Sequence, residues 1–366
     1  ALEEFMSRFE QEVDLNLSES GVHPLTLGEL LELAGIEHET LLQIDLNYPH
    51  VNGIPALREA IAALYGAEPN QVLVTVGAIE ANYAVTRALV PPGAGIAVMV
   101  PNYLQIWGVA RNHGARLTTF GLAAERGWTL DHDQLEEATP PGTQLVAVCN
   151  PNNPTGKVLS GADMEAVVEA AARSGAWLLA DEVYRGAERT GERETPSFWG
   201  RGDRVVVVGS MSKAYGLPGL RIGWAIGPPD LIEETWRRHE YTTISASMLA
   251  NHLAAAALQP EVRPRLIERT RGFIRRGYPV LESWAVDHPD LVSLHAPDAA
   301  AIAFPRYHLE IPSQVLAAKI RSEAGVLVVP GSFFGVEGHL RISYGLPPDQ
   351  LADGLDRIGR VLAAAG

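Results

Sequence analysis

Short apolar runs alternate with amphipathic segments between residues 55 and 210, and this alternation constrains the fold more than any other feature of the chain. The segments between the runs have helical periodicity, for example PALREAIAALYG, AIEANYAVTRALV and GADMEAVVEAAARSG. The runs themselves have the length of strands: QVLVTV, IAVMV, ARLTTF, QLVAVC, AWLLA and RVVVV. Apolar strands separated by helices predict a mainly parallel sheet covered on both faces, which is an α/β fold.

The length of the chain predicts a second domain. A chain of 366 residues exceeds what one hydrophobic core usually organises. Beyond residue 229 the pattern changes to long helices with the short strands AIAFP, VLVVP and HLRISYG. We therefore predict a large α/β domain over residues 45–255 and a smaller domain formed by residues 1–44 together with residues 256–366.

Composition excludes several classes of function. The net charge is −15 and no run of Lys and Arg exceeds two residues, so we expect no nucleic-acid partner. The 11 histidines lack the spacing of a metal site. The most apolar window, ISASMLANHLAAAAL, is too short and too polar to span a membrane. The single cysteine, Cys149, is expected to be a buried strand residue, and it favours a reducing, cytoplasmic location.

Polar residues follow three of the predicted strands. QLVAVC continues into NPNNPTG, AWLLA into DEVY, and RVVVV into GSMSK. Parallel strands place their carboxyl ends at one edge of the sheet, where open α/β sheets bind ligands. We therefore expect one group of side chains at that edge, namely Asn153, Asp181, Tyr184, Ser210, Ser212 and Lys213.

The junction between QVLVTV and VGAIE predicts an anion site. Gly77 permits close approach, and the first amides of the following helix have no partner within the helix. Ser210, Ser212 and Arg221 offer further donors, and the planar guanidinium of Arg221 binds two oxygens at once. The edge thus combines a phosphate cradle with an amine, a carboxylate and a phenol. A site for pyridoxal phosphate needs these parts.

The chain resembles the fold type I pyridoxal-phosphate enzymes of the aspartate aminotransferase superfamily, the class I/II aminotransferase-like proteins, over nearly its whole length. The resemblance rests on YPHVNGIPALREAIA, VGAIEAN, NPNNPTG, DEVY, SMSKAYGLPGLRIGW and HLRISYG, which occur in the order of the family. It implies a mainly parallel seven-stranded sheet in the large domain and a smaller α+β domain. It also implies a homodimer with shared active sites, because Tyr48 resembles the tyrosine that reaches the cofactor phosphate of the neighbouring subunit.

The same resemblance implies roles around the cofactor ring. Lys213 would form a Schiff base with the cofactor and later move the proton at the substrate Cα. Asp181 would pair with the pyridine nitrogen. Asn153 and Tyr184 would contact the ring oxygen, and Tyr103, after strand IAVMV, would stack on the ring.

For the two anionic groups, the resemblance implies a second set of residues. Arg341 would bind the α-carboxylate of a small amino-acid substrate, next to Asn153. The cofactor phosphate would be held by Gly77, Ala78, Ile79, Ser210, Ser212 and Arg221.

The N-terminal segment departs from the ordinary members of this superfamily. Residues 17–30, LSESGVHPLTLGEL, stand in place of a substrate loop similar to Gly-Glu-Pro-Asp-Phe. This departure, together with SMSKAYGLPGLRIGW and VLVVPGSFFG, resembles the capreomycidine synthase-like enzymes that cyclise hydroxylated arginines. Such enzymes remove the Cα proton, expel the β-hydroxyl as water and add a guanidine nitrogen. The resemblance implies a capreomycidine- or streptolidine-type ring made in antibiotic-like secondary metabolism.

In this interpretation the N-terminal segment passes over the cofactor where substrate binds. His23 can titrate near neutral pH and would donate a proton to the departing hydroxide, although it could equally be a capping or packing histidine. Glu19, or the N-terminal pair Glu3 and Glu4, would pair with the guanidinium. Gly21 would mark a close approach of the backbone to the substrate.

Other interpretations stay open. One is an ordinary aminotransferase acting at the same site. Another is the aminotransferase-like half of a transcription regulator, which would carry a basic helix-turn-helix domain for which we expect no residues to be left. Among single residues, Asp181 could be a helix N-cap, Tyr103 a core residue, Arg341 a surface strand residue and Tyr48 a packing residue in a turn.

Overall fold

The computed structural model describes residues 2–365. Most of its helices surround the main sheet or belong to the C-terminal third of the chain. They are α1 (Leu2–Phe9), α2 (Leu27–Ala34), α3 (His38–Leu42), α4 (Pro55–Tyr65), α5 (Gly77–Leu89), α6 (Gln105–Asn112), α7 (His132–Ala138), α8 (Gly161–Ser174), α9 (Pro229–His239), α10 (Met248–Ala257), α11 (Arg263–Asp287), α12 (Ser313–Ala324) and α13 (Pro348–Ala365).

The strands are short, as the apolar runs predict. They are β1 (Leu15–Asn16), β2 (Val72–Val76), β3 (Gly95–Val100), β4 (Arg116–Ala123), β5 (Thr129–Leu130), β6 (Thr143–Cys149), β7 (Trp177–Asp181), β8 (Val205–Ser210), β9 (Ile222–Ile226), β10 (Val292–Ser293), β11 (Ile302–Ala303), β12 (Arg306–Tyr307), β13 (Val326–Leu327), β14 (Val329–Pro330) and β15 (Leu340–Ser343).

Local sequence explains where the helices of the alternating region begin and end. Helix α4 begins at Pro55, whose missing N–H costs nothing in a first turn, and it ends at Gly66 in the left-handed conformation. Helix α8 begins after Ser160, which exchanges hydrogen bonds with Asp163 in a capping box. The two helices confirm the periodicity of PALREAIAALYG and GADMEAVVEAAARSG.

The main sheet confirms the predicted α/β class and has the strand order β2-β9-β8-β7-β6-β3-β4-β5. Strands β4, β3, β6, β7 and β8 are parallel to their neighbours in turn. Strand β9 is antiparallel to both β2 and β8, so β2 and β8 run in the same direction. The sheet has eight strands rather than seven, because the two-residue strand β5 pairs with β4 at one edge.

Alternate residues of the central strands face opposite sides of the sheet, and helices cover both sides. Val206 and Val208 belong to a buried cluster that contains residues of α5, α6 and α9. Val205 and Val207 belong to a second cluster that contains residues of α4, α8 and α10. With both faces covered, the strand ends are where polar side chains of the sheet can meet a ligand.

Residues from the two ends of the chain pair with each other. Strand β1 is parallel to β13, and a separate antiparallel sheet has the order β11-β15-β14. The division into a domain of residues 45–255 and a domain of residues 1–44 with 256–366 stays a prediction, which the β1–β13 pairing supports. Residues 1 and 366, which belong to the predicted smaller domain, lie outside the described range.

Within residues 2–365, none of the helices combines the length and the apolar character that crossing a bilayer requires. The same part of the chain brings together no group of three His, Cys, Asp or Glu side chains that could hold a metal ion.

Candidate active site

A cavity of about 320 Å³ opens at the carboxyl ends of β6, β7 and β8. Its size suits a small organic ligand. Most of the side chains predicted for the site line it, namely Glu19, Ala78, Ile79, Tyr103, Asn153, Asp181, Tyr184, Ser210, Ser212, Lys213, Arg221 and Arg341.

The loop of residues 211–221 joins β8 to β9 at this edge and carries both Lys213 and Arg221. The N–H of Leu217 donates to the carbonyl of Met211 at 3.0 Å, which closes the loop on itself. Gly216 adopts the left-handed conformation with φ of 66°, as does Arg221 with φ of 53° just before β9 begins. Because β9 is antiparallel to β8, the start of β9 lies beside the end of β8. The amine and the guanidinium are therefore held at one edge.

The environment of Lys213 favours a reactive amine. Burial lowers the pKa of the Lys213 ammonium, and the negative charge of Glu19 opposes that shift only in part. The backbone of Gly21 packs beside the lysine, since a Cβ at Gly21 would lie 3.8 Å from Cδ of Lys213. A lowered pKa increases the fraction of free amine, which is the form that attacks an aldehyde.

Asp181 ends β7 with a side chain that is almost wholly buried. Its Oδ2 accepts a hydrogen bond from Asn82 Nδ2 at 2.8 Å, and its Oδ1 accepts one from the N–H of Val183 at 3.2 Å. Burial raises the pKa of Asp181, against these hydrogen bonds and the charge of Lys213. Among residues 2–365 no basic side chain lies within ion-pair distance of it. A buried carboxylate of this kind fits the protonated nitrogen of a pyridine ring.

The residues predicted to hold a phosphate meet at the start of α5. Gly77 has φ of 74°, and a Cβ there would lie 2.4 Å from Nη2 of Arg221, so a glycine lets the guanidinium rest against the helix terminus. Ser212 Oγ accepts from Arg221 Nη1 at 3.4 Å, and Ser210 Oγ donates to Ser212 Oγ at 2.9 Å. A helix N-terminus, an arginine and two hydroxyls in one place form a donor set that fits the phosphate of pyridoxal phosphate.

Arg341 lies on β15 and is 2% exposed. Its Nη1 donates to Asn153 Oδ1 at 3.0 Å, its Nη2 donates to the carbonyl of Ser18, and its buried Nε has no hydrogen-bond partner. Burial lowers the pKa of Arg341. No carboxylate of the described residues lies within ion-pair distance of the guanidinium. Because a buried cation without an anion is costly, the site fits a substrate carboxylate.

Two tyrosines face the cavity from different elements. Tyr103 follows β3, and its hydroxyl donates to Glu3 Oε1 at 2.9 Å. Tyr184 follows β7, is 2% exposed and hydrogen-bonds to Ser20. Burial raises the pKa of both phenols, so both stay protonated and able to donate.

The N-terminal segment supplies an acidic wall, which we define as the cavity-lining residues Glu3, Glu10 and Glu19. Glu4 does not belong to it. The Glu4 carboxylate instead pairs with Arg8 on the exposed side of α1, so the predicted contact between Glu4 and a guanidinium is not supported by its position.

His23 and Tyr48 also lie outside the cavity. The His23 side chain is exposed, and its ring centroid lies 6.1 Å from that of Phe273. The backbone N–H of His23 donates to the backbone carbonyl of Gly345. The predicted role of His23 as a proton donor at the reacting carbon therefore has no support from its position, because its side chain is exposed and does not line the cavity. Tyr48 is 73% exposed and takes no part in the cavity of its own protomer.

Several residues that line the cavity were not assigned to the site from the sequence, among them Asn82, Cys149 and Glu10. Asn82 holds Asp181, and its place on the buried stripe of α5 between Ala81 and Val85 is the signal that would have found it, because a buried amide needs a polar partner. Cys149, correctly predicted as a buried strand residue, also lines the cavity. Glu10 lines the cavity mouth, and no motif distinguishes it from other surface glutamates.

Comparison with known proteins agrees with this geometry. The family model for aminotransferase class I and II matches residues 34–358. Capreomycidine synthase of Streptomyces vinaceus is 34% identical over 367 residues, which cover 99% of this chain and 93% of that protein.

Two solved structures cover the chain end to end. A PLP-dependent aminotransferase from Streptococcus suis 89-1591 has a TM-score of 0.93 and 30% identity, covering 100% of this chain and 97% of that one. The PLP-dependent cyclase OrfR has a TM-score of 0.90 and 29% identity, with the same coverage of 100% and 97%. The family match and the similarity to these relatives agree with a cavity whose hydrogen-bond donors fit pyridoxal phosphate. The chain therefore belongs to the class I and II aminotransferase family of pyridoxal-phosphate-dependent, fold type I enzymes.

Proposed function

We propose that this enzyme removes the Cα proton of a β-hydroxylated arginine, eliminates water and cyclises the guanidine to a ring of the capreomycidine or streptolidine type. The observation that carries the proposal is that Arg341 and the acidic wall line the same cavity. The buried guanidinium of Arg341 suits the α-carboxylate of an amino acid. The acidic wall suits a cation on the side chain of the same substrate.

The electrostatics of the acidic wall discriminate between side chains. The negative charges of Glu3 and Glu19 act on both Lys213 and Arg341. A substrate with a guanidinium gains from these charges, and planar guanidinium groups bind carboxylates with two hydrogen bonds. A substrate with a second carboxylate, such as aspartate, meets like charge in the same cavity.

The residues of the site divide the work of the reaction. Bound pyridoxal phosphate would take up the electron pair that the broken Cα–H bond leaves behind. Lys213 receives the Cα proton on Nζ. The same ammonium is placed to pass that proton to the β-oxygen, which leaves as water, so this pathway needs no proton from His23. A guanidine nitrogen, steered by the acidic wall, then bonds to Cβ and gives up one proton, and Cα regains one.

The similarity to capreomycidine synthase and to a PLP-dependent cyclase supports this proposal. The alternative is an ordinary aminotransferase, and the similarity to the Streptococcus suis aminotransferase supports that alternative. The two reactions share the loss of the Cα proton and differ afterwards. Transamination leaves the amino group on the cofactor and needs a keto acid to complete the cycle, whereas elimination and cyclisation need none.

The holoenzyme incubated with β-hydroxyarginine or a dihydroxyarginine, without any keto acid, is expected to give a product lighter by one water that keeps every nitrogen. Mass spectrometry measures the loss, and loss of the free linear guanidine shows ring closure. Arginine without a β-hydroxyl is the control, because it has no leaving group. If the hydroxylated arginines are inert while an amino donor reacts stoichiometrically with α-ketoglutarate, the aminotransferase interpretation stands instead.

Glutamine variants of the acidic wall refine the same experiment. Glu19→Gln is expected to raise KM for the hydroxylated arginine by about fivefold with a smaller change in kcat, because one partly exposed ionic contact is lost. Glu4→Gln is the matched control, since Glu4 lies on the same segment but faces away from the cavity. Equal effects of the two substitutions would show that the wall does not recognise the substrate.

We further propose that the enzyme works in the cytoplasm as a homodimer with shared active sites. Three large apolar side chains are strongly exposed, Leu46 at 87%, Tyr48 at 73% and Tyr241 at 89%, and a partner subunit would cover them. Sedimentation equilibrium is expected to give twice the mass of the chain, because this apolar surface favours association. A single-chain mass together with full activity at high dilution would contradict the shared sites.

A further inference from the structure

A buried ion pair lies directly behind the phosphate cradle. Glu80 is in the first turn of α5, and His239 is the last residue of α9. Nδ1 of His239 lies 2.9 Å from Oε1 of Glu80, and the two side chains are 0% and 4% exposed respectively. Neither group touches the cavity wall, so the pair is not part of the contacts described above.

The His239 ring lies between two hydrogen-bond acceptors, one at each ring nitrogen. Its Nε2 lies 3.0 Å from the backbone carbonyl of Val51, on the opposite side of the ring from the Glu80 carboxylate. A carbonyl and a carboxylate both accept hydrogen bonds. Nδ1 lies at ion-pair distance from the carboxylate without the alignment of a hydrogen bond, so the contact with Glu80 is one between charges. The imidazolium ion is the form of the ring that both acceptors attract.

Glu80 in turn is held as an anion. Its Oε2 accepts from the N–H of Val76 at 2.7 Å, and its Oε1 accepts from Oγ1 of Thr243 at 2.7 Å. Burial by itself would raise the pKa of Glu80, but the contacts with His239 and Val76 outweigh it and hold the pKa below the ordinary value. The carboxylate therefore fixes the backbone immediately before Gly77, where α5 begins.

An anion at this position creates an electrostatic conflict. The N-terminus of α5 is the predicted site of the cofactor phosphate, which carries up to two negative charges, and Glu80 places another negative charge within the same helical turn. At such short range and in a buried setting, like charges repel strongly. An imidazolium at His239, 2.9 Å from the carboxylate, would cancel the charge of Glu80.

We propose that His239 is a positioning residue for the cofactor phosphate: its buried positive charge neutralises Glu80, so that Glu80 can anchor the start of α5 without repelling the phosphate bound there. The proposal depends on pyridoxal phosphate as the cofactor and not on cyclisation. If this proposal about His239 is wrong, the proposed cyclisation is not affected. If the cyclisation is wrong, the proposal about His239 is not affected either.

The test compares a cofactor that has a phosphate with one that lacks it. The full chain, stripped of cofactor, is titrated with pyridoxal phosphate and with pyridoxal, following the visible absorbance of the bound form. His239→Gln is expected to weaken pyridoxal phosphate binding by about tenfold and to leave pyridoxal binding unchanged. His252→Gln, at an exposed position of α10, is the control. Equal weakening of both ligands would overturn the proposal, because it would show a general structural role.

A second substitution keeps the test decisive if His239→Gln lowers stability. Adding Glu80→Gln removes the unpaired negative charge, so the double variant is expected to recover most of the lost affinity for pyridoxal phosphate. Thermal melting of each variant, recorded without ligand, separates loss of fold from loss of phosphate binding. A double variant that binds pyridoxal phosphate no better than His239→Gln alone would overturn the proposal.

Discussion

Replacing Lys213 by alanine is expected to abolish covalent attachment of pyridoxal phosphate and to lower turnover by about 10⁴-fold or more, because the variant loses both the amine that bonds the cofactor and the base that moves the Cα proton. The environment of Lys213 motivates the prediction, since burial lowers the pKa of its ammonium beside the cavity. Borohydride reduction followed by peptide mass spectrometry measures the attachment, because it fixes the cofactor to the amine that holds it.

The chain offers sharp controls for this experiment, because it has only two other lysines, Lys157 and Lys319. Lys157 pairs with Asp298 and Lys319 pairs with Glu323, each at 2.9 Å. Alanine at either position is expected to leave the attachment at Lys213 unchanged. A reduced label at residue 157 or 319, or normal turnover in Lys213→Ala, would disprove the assignment.

Replacing Asp181 by asparagine is expected to lower turnover by about 10²- to 10³-fold, because the buried negative charge that keeps the pyridine nitrogen protonated is lost while the shape of the side chain is kept. The visible spectrum of the bound cofactor and steady-state rates measure the effect. Asp203→Asn, on the exposed turn before β8, is the matched control. Near-normal rates in Asp181→Asn would show that this carboxylate does not serve the cofactor.

The same substitution is expected to have the opposite effect on the stability of the cofactor-free chain. Burial raises the pKa of Asp181, so the folded chain binds this proton more tightly than the unfolded chain. Stability therefore falls as the pH rises from the ordinary pKa of an aspartate through the raised one. Asp181→Asn should melt at a higher temperature than the wild type at neutral pH, with the difference vanishing in acid. A uniformly lower melting temperature would contradict this account.

The fold was predictable where the apolar pattern is continuous and ends abruptly. Strands β6, β7 and β8 are apolar on both faces and run directly into polar residues, so their direction and their ends follow from the pattern. Strand β9 was missed because IGWAI follows a loop rich in glycine and is antiparallel in an otherwise mostly parallel region. Strand β5 has two residues, which is too short to show any period.

The site was predictable for residues that stand at strand ends, such as Asp181 and Lys213, because topology alone gathers them. Residues that act from inside a helix are harder to find. Asn82 points at Asp181 from the middle of α5, and this contact depends on how helix and sheet pack. His23 shows the converse: in a segment without regular structure, no periodicity sets the direction of a side chain.

One loop carries the predicted attachment points for both ends of the cofactor. In the 211–221 loop, Lys213 is the predicted partner of the cofactor aldehyde, and Arg221 is the predicted partner of its phosphate. Hydrogen bonds from Leu217 to Met211 and from Gly216 to Lys213 stiffen the loop, and two paired strands fix its ends. The loop therefore fixes the distance between the two predicted attachment points. We therefore expect an analogue whose phosphate arm is one bond longer or shorter to lose one attachment when it makes the other, so that binding depends on the length of the cofactor as well as on its charge.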